Sequence, residues 1–494
     1  MTEYRSLMER DLQRIGGADF SFDHLLRRRL RKQRRQRLQA AVVGLLVGAL
    51  ALGALLYTFA ERTAPRPAAP GISPVNVGDL RLLQTIDVGG RVDATAEEDG
   101  QVYVRARNGA HDLLAFSGGC GGPASPCHAM WGADVSKEGG PASAGLSVSA
   151  GSVYAAGDRL RAFPADCTDA CSPRWTSTRA GRSIGAVAAG DVVVTVDFDH
   201  VAAFPADCAP VRGACHPLWV STRFPTHISP FVMVSGDRVY VGSLAPDRNG
   251  TGPIYTLPLH CRTDGGECAR SAGWQPPAPA GYSITASGGR VSMGTAVDAF
   301  HGRLRVYPSS CFATERCHPL WKARAPGALN SPAPVLSDGR VFVFSNFGAA
   351  FVEAFPASCD AASGKCQPVW RAFGVKNMAA TSPAVSGGVL YVPSLTDGLK
   401  AFATDCAAAC VPAWTWRGPN GIPTAIRTVS ATRDRVFAGG ADGNLYVFGP
   451  RTPSRVSSSA TSNAVAVVVY GGLAVVVVTA FVIRRRRRMW SRAT

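Results

Sequence analysis

Fourteen cysteines are the residues in this chain whose spacing could do chemistry. They fall into seven local pairs: Cys120 and Cys127, Cys167 and Cys171, Cys208 and Cys215, Cys261 and Cys268, Cys311 and Cys317, Cys359 and Cys366, and Cys406 and Cys410. Three to six residues separate the partners. Two chemistries suit such pairs. One is metal binding, because three pairs are followed at once by His128, His216 or His318. The other is disulfide formation in an oxidising compartment. Neighbouring residues of a strand point to opposite faces, which places a Cys-His dipeptide poorly for sharing one ion. Two thiols also fall short of the four ligands of a structural zinc site. The even count and local pairing therefore predict seven disulfides.

Each pair precedes a tryptophan: Trp131, Trp175, Trp219, Trp274, Trp321, Trp370 and Trp414. Successive tryptophans lie 44 to 55 residues apart. Before most pairs stands an Ala-Phe-Pro or similar string, as in "AFPADCTDACSPRW" at 162–175 and "AFPASCDAASGKCQPVW" at 354–370. Between copies run short alternating apolar segments split by Gly and Asp, such as "SVYAAGDRLRAF". Those are strands and hairpin turns. A period in the forties with four strands per unit is a propeller blade. The seven tryptophans are then expected to pack between neighbouring blades.

Seven units are complete, and an eighth, "RTVSATRDRVFAGGADGNLYVFGP" (427–450), lacks its fourth strand. The segment "RLLQTIDVGG" (81–90) is strand-like and precedes the first full unit. It is expected to pair beside Leu445–Phe448, closing the ring and covering a free edge. The predicted fold class is all-β: an eight-bladed β-propeller of four-stranded antiparallel blades, flanked by two transmembrane α-helices.

On the strings "RVYVGS", "GLKAF" and "NLYVFG" and the Trp after each Ala-Phe, the region 80–450 resembles the PQQ-like (quinoprotein-type) propeller repeats of bacterial envelope proteins. It is also similar to the propeller lipoproteins of outer-membrane assembly, which act by protein contacts. A Cys-bounded loop replaces the short turn usual between the last two strands. Quinone-dependent dehydrogenases of similar repeat type use calcium, a catalytic carboxylate and often a disulfide between adjacent cysteines. No adjacent cysteines occur here, the acidic residues sit mostly in turns, and no hydrolase, zincin or phosphate-loop motif is present. The expectation is a protein without catalytic residues, cofactor or metal.

Composition changes at both ends. Residues 40–60 and 464–483 carry no charge over 21 and 20 residues, enough to cross a bilayer. "RRRLRKQRRQR" (27–37) precedes the first and "RRRRRMWSR" (484–492) follows the second. Positive flanks stay in the cytoplasm. The predicted organisation is a basic cytoplasmic tail (1–39), a span (40–60), a Pro-rich linker (61–79), an extracytoplasmic propeller (80–450), a linker (451–463), a span (464–483) and an Arg-rich cytoplasmic tail (484–494). The net charge of +17 is mostly membrane-flanking, which argues against nucleic acid and for anionic lipid at both tails.

The expected function is that of a non-catalytic binding or scaffold module for an unidentified protein or envelope ligand. One alternative is transmembrane signalling with the propeller as sensor, since "FSFDHLLRRRLRKQRRQRL" resembles the pre-span region of some anti-sigma-like membrane proteins; a second, less favoured, is a quinone-dependent dehydrogenase. The enlarged second-to-third-strand loops 244–253, 295–302 and 346–352 place the expected recognition surface on blades four to six.

Overall fold

The computed structural model describes residues 71–450 except 108–110, 124, 136–144, 180–182, 184, 198, 209–212, 226–227, 244–253, 262–266, 271–281, 299, 311–317, 330–332, 346–349, 360–364 and 379–382. The chain divides into two units, Met1–Ala69 and Pro70–Thr494, and all described residues belong to the second. The segments 40–60 and 464–483, expected to span a membrane, lie outside the described residues. Among the described residues no helix is long and apolar enough to cross a membrane.

Eight antiparallel sheets follow one another along the chain. Blade one is built of Arg91–Glu98, Gln101–Arg107, Leu113–Ser117 and Trp131–Ala133. Blades two, three, five, six and seven repeat that order, from Leu146–Ser149 in blade two to Trp414–Trp416 in blade seven. Blade four has three described strands, Ile228–Ser235, Arg238–Ser243 and Ile254–Pro258. Its expected fourth strand near Trp274 lies outside the described residues.

Blade eight closes the ring. Ile426–Ala431, Val436–Gly440 and Asn444–Pro450 come from the C-terminal side, and Leu80–Asp87 from the N-terminal side. Ile86 pairs with Leu445 and Leu82 with Phe448, as the sequence led one to expect. Leu80 lies opposite Pro450, so the chain enters and leaves the ring at one face. That face also carries the hairpins between first and second strands and the Cys loops. It is called the hairpin face below; the opposite one is the loop face.

The sequence dictates these hairpins locally. Two-residue turns of mirror-image type need positive φ at both positions. Asp99-Gly100, Asp338-Gly339, Gly288-Gly289 and Gly387-Gly388 supply them, with φ between 51° and 75°. Behind the turns the strands bury apolar side chains on both faces, because each blade packs against two neighbours. The core is accordingly divided into eight apolar clusters, one for each seam between adjacent blades.

Each described tryptophan bridges a seam. Trp131 stacks on Phe163 of blade two at 6.3 Å and donates its indole N–H to Ala165 O of the same blade. Trp175, Trp219, Trp321 and Trp370 donate likewise to Ala206, Leu259, Ala357 and Thr404 of the following blade, at 2.9–3.4 Å. Trp414 donates to Leu80 O at 3.0 Å, so the N-terminal strand completes the same contact for blade seven. Trp274 lies outside the described residues.

Six disulfides are formed: Cys120–Cys127, Cys167–Cys171, Cys208–Cys215, Cys261–Cys268, Cys359–Cys366 and Cys406–Cys410. Cys311 and Cys317 lie outside the described residues. The loops do more than brace their own hairpins. Asp169–Ala170, inside the Cys167–Cys171 loop of blade two, runs parallel to Trp131–Gly132 and adds a fifth strand to blade one. Ala214–Cys215, Glu267–Cys268 and Ala408–Ala409 do the same for blades two, three and six. Lys365 makes a single parallel bridge to Lys322 of blade five. In the Cys120–Cys127 loop a side chain substitutes for a strand: Gln84 of blade eight donates Nε2–H to Cys127 O and accepts the Cys127 N–H at 2.7 Å. Each of these six loops thus latches onto the outer strand of the blade before it and satisfies backbone groups that an edge strand leaves open.

Candidate binding face

The loop face carries the second-to-third-strand loops and the connections between blades, where binding residues are expected. In blade three, Asp197, Asp199 and His200 place possible ligand atoms within 4.8 Å of one another. Two carboxylates and an imidazole could suit a divalent cation. The geometry spends them otherwise. Asp197 Oδ1 accepts the N–H groups of Asp199 (3.0 Å) and His200 (2.6 Å), and Oδ2 faces Arg179 at 3.2 Å. Asp199 takes His200 Nδ1 at 2.8 Å on one oxygen and Arg223 Nε at 2.8 Å on the other. Partial burial raises the Asp199 pKa, but His200 and Arg223 outweigh it and hold the carboxyl below its ordinary range. Two guanidiniums balance two carboxylates, so the cluster is a structural knot that fixes the turn. Beneath it a cavity of ≈ 20 Å³ lies between Leu160, Ser177, Thr195 and Phe204. That is room for about one water, not for a metabolite.

The next blades present apolar side chains instead. In blade five, Asp298 closes the turn by accepting the Phe300 N–H at 2.7 Å and facing His301 Nδ1 at 2.9 Å. The His301 hydrogen bond, then the Phe300 N–H, hold the Asp298 carboxyl below its ordinary range. The turn lifts Phe300 into solvent, 64% exposed. In blade six, Phe373 ends the fourth strand 62% exposed, with the Arg371 guanidinium 5.6 Å from its ring centre. In blade seven, Ser394 Oγ accepts the Thr396 and Asp397 N–H groups and donates to Lys376 O, fixing the turn that carries exposed Leu395. Lys400 ties the same turn to Gly374 O and Asp397. Between blades seven and eight, Ile422 stands 66% exposed on a turn closed by Thr424 N–H to Arg417 O.

Of the other exposed large apolar residues, Leu218, Leu320 and Val369 each stand just before a tryptophan at the hairpin face, Val411 follows Cys410, and Val75 and Leu82 lie where the chain enters the ring. The first three belong to the repeat. Phe300, Phe373, Leu395 and Ile422 do not recur with it. Of the three enlarged loops expected to bind, 295–302 presents Phe300; 244–253 and most of 346–352 lie outside the described residues. The sequence missed Phe373, Leu395 and Ile422, whose only signal was an apolar residue at a strand end or in a turn.

No protein-family model matches the chain, and neither does any curated protein sequence. Among solved structures it is similar to the computationally designed protein Ika8, with a TM-score of 0.54 and 12% identity over 75% of this chain and 99% of that one. It is also similar to BamB from Moraxella catarrhalis (TM-score 0.49, 13% identity, 76% and 98% covered). A third is the WD40 β-propeller domain of Doa1 (TM-score 0.42, 10% identity, 76% and 98% covered). At these identities the likeness concerns the fold alone. The described residues form an all-β, eight-bladed propeller of antiparallel blades, cross-linked by disulfides.

Proposed function

We propose that this protein is a non-catalytic binding module: a PQQ-like propeller held outside the cytoplasm by two membrane spans, docking a protein partner on the loop face of blades five to seven. The observation that carries the reading is the set of Phe300, Phe373, Leu395 and Ile422, exposed on turns and at a strand end along the loop face from blade five to the connection after blade seven. Rigid exposed aromatic and aliphatic side chains lose little freedom on association and make the anchors of protein interfaces. The basic residues Lys376 and Arg417 beside them favour a partner with acidic groups at its rim. Six disulfides support an oxidising compartment.

The test is crosslinking of the full-length protein in its native membrane beside two variants. One carries Phe300→Ser with Phe373→Ser; the other lacks residues 2–26. A partner lost from the first and kept by the second supports docking on the loop face. A partner set unchanged in the first refutes it. A cytoplasmic regulator lost only from the second moves the function to signalling.

A further inference from the structure

The seam where blade eight meets blade one holds more positive charge than its closure requires. Asp93, 5% exposed at its side chain, receives three guanidiniums: Arg91 Nε at 2.9 Å, Arg107 Nε at 3.0 Å and Arg427 Nε at 3.3 Å. Arg91 and Arg107 alone put two cations on this one carboxylate, a formal excess of one charge. Arg91 and Arg107 are direct cross-strand partners, a placement of like charges that costs stability in a sheet. One layer further in, the Thr95 and Thr428 hydroxyls meet at 2.9 Å across the same seam.

The backbone is shaped for this meeting. The pairing of blade one's first strand shifts between Val92 and Ala94, making Asp93 the extra residue of a bulge. The pairing of blade eight's first strand shifts between Ile426 and Thr428, and Arg427 is its extra residue. Bulges re-aim side chains, and two facing ones are hard to explain by closure alone, which the apolar seam already provides. Both lie at the loop-face ends of innermost strands, at the mouth of the central channel. The three arginine side chains remain 28–34% exposed. Arg91 and Arg107 approach Asp93 through Nε, leaving their Nη edges for another acceptor, and Arg107 Nη2 is buried with no hydrogen-bond partner among the described residues.

We infer that the Arg91–Arg107–Arg427 cluster is an oxyanion site that takes a multiply charged phosphate-type group at the mouth of the channel. Asp93 holds the three forks in place and the ligand supplies the missing negative charge. Arginine suits this role because its planar donors match phosphate oxygens.

The experiment uses the full-length protein in detergent, with inorganic phosphate and glycerol 1-phosphate as probes. Binding is read by calorimetry and by melting temperature, against sodium chloride at matched ionic strength. Saturable binding is expected, weakened at least tenfold in Arg91→Gln with Arg107→Gln. Asp93→Asn, which keeps an acceptor for the arginines and removes only the competing negative charge, should bind more tightly. Binding of both probes identifies an esterified phosphate as acceptable; binding of inorganic phosphate alone identifies the free ion. The Gln variant's own melting temperature shows whether it folds; should it not, Asp93→Asn alone decides. Stabilisation no greater than chloride gives, or binding undiminished in a folded double variant, overturns the inference.

Discussion

Glu353 offers the sharpest test of how the seams are built. It lies in the third strand of blade six, fully buried, on the side facing blade five. Its cross-strand neighbour is Arg371, which donates from Nε and Nη2 to Oε1. Oε2 has no partner among the described residues. Burial pushes the carboxyl up to about 7, against the attraction of Arg371. The native state therefore holds a proton that the unfolded chain releases near pH 4.5. Stability from this group is fully present below about 4.5 and is lost as pH rises to about 7. At about 1.4 kcal/mol per tenfold change in proton affinity, the loss is about 3 kcal/mol. For a domain of roughly 380 residues, that corresponds to about 4 °C in melting temperature. Glu353→Gln keeps the shape and removes the titration. The variant should melt close to the parent at pH 5 and about 4 °C above it at pH 8. Thermal melts of both proteins at the two pH values decide. An equal difference at both pH values, or a parent that gains on the variant as pH rises, would refute the reasoning.

Four further outcomes follow from named contacts. Trp370→Phe removes the donor to Thr404 O and part of the seam between blades six and seven, and should cost about 2 kcal/mol in chemical denaturation. Cys406→Ser with Cys410→Ser opens a short ring and should cost about 2 kcal/mol, with circular dichroism unchanged. Ala408 holds φ at 48°, a left-handed position inside that ring, and Ala408→Gly should raise stability by about 1 kcal/mol in the same assay. Gln84→Ala frees the backbone of Cys127 at ring closure; amide exchange at Cys127 should quicken at least tenfold, while that of the Trp370 strand stays unchanged.

Much of the ring was legible because a repeat states its own fold. Apolar alternation, paired hairpin glycines and Trp spacing all report contacts local to one unit. The eighth unit's missing fourth strand was legible for the same reason: a unit short by one strand implies a donor elsewhere, and Leu80–Asp87 was the segment left over. The latches were not legible. Asp169–Ala170 reads as loop because two residues carry no strand period, and its partner Trp131 lies 38 positions earlier in another blade. The disulfide in turn reads as a local brace, although it also presents a strand to a neighbour.

The same reasoning separates structure from function in this chain. Residues that recur along the ring, such as the tryptophans, are accounted for by packing one blade on the next. Residues that break the repeat need another cause. Phe373 breaks it by facing solvent at a strand end where blades five and seven place Arg324 and Arg417, and Phe300 breaks it by standing exposed on the blade-five turn. Asp93 and Arg427 break it by adding a residue to strands that pair without a bulge in blades two, three, six and seven. A bulge costs ladder hydrogen bonds, and two arginines on one aspartate cost electrostatic energy. A ring already closed by eight apolar seams gains little from either. Sequence reading by repeats averages over these positions, since the period is found by what the units share. The loop-face mouth and the outward aromatics emerge only when each blade is compared with the others, and both lie on the face opposite the point where the chain enters and leaves the ring.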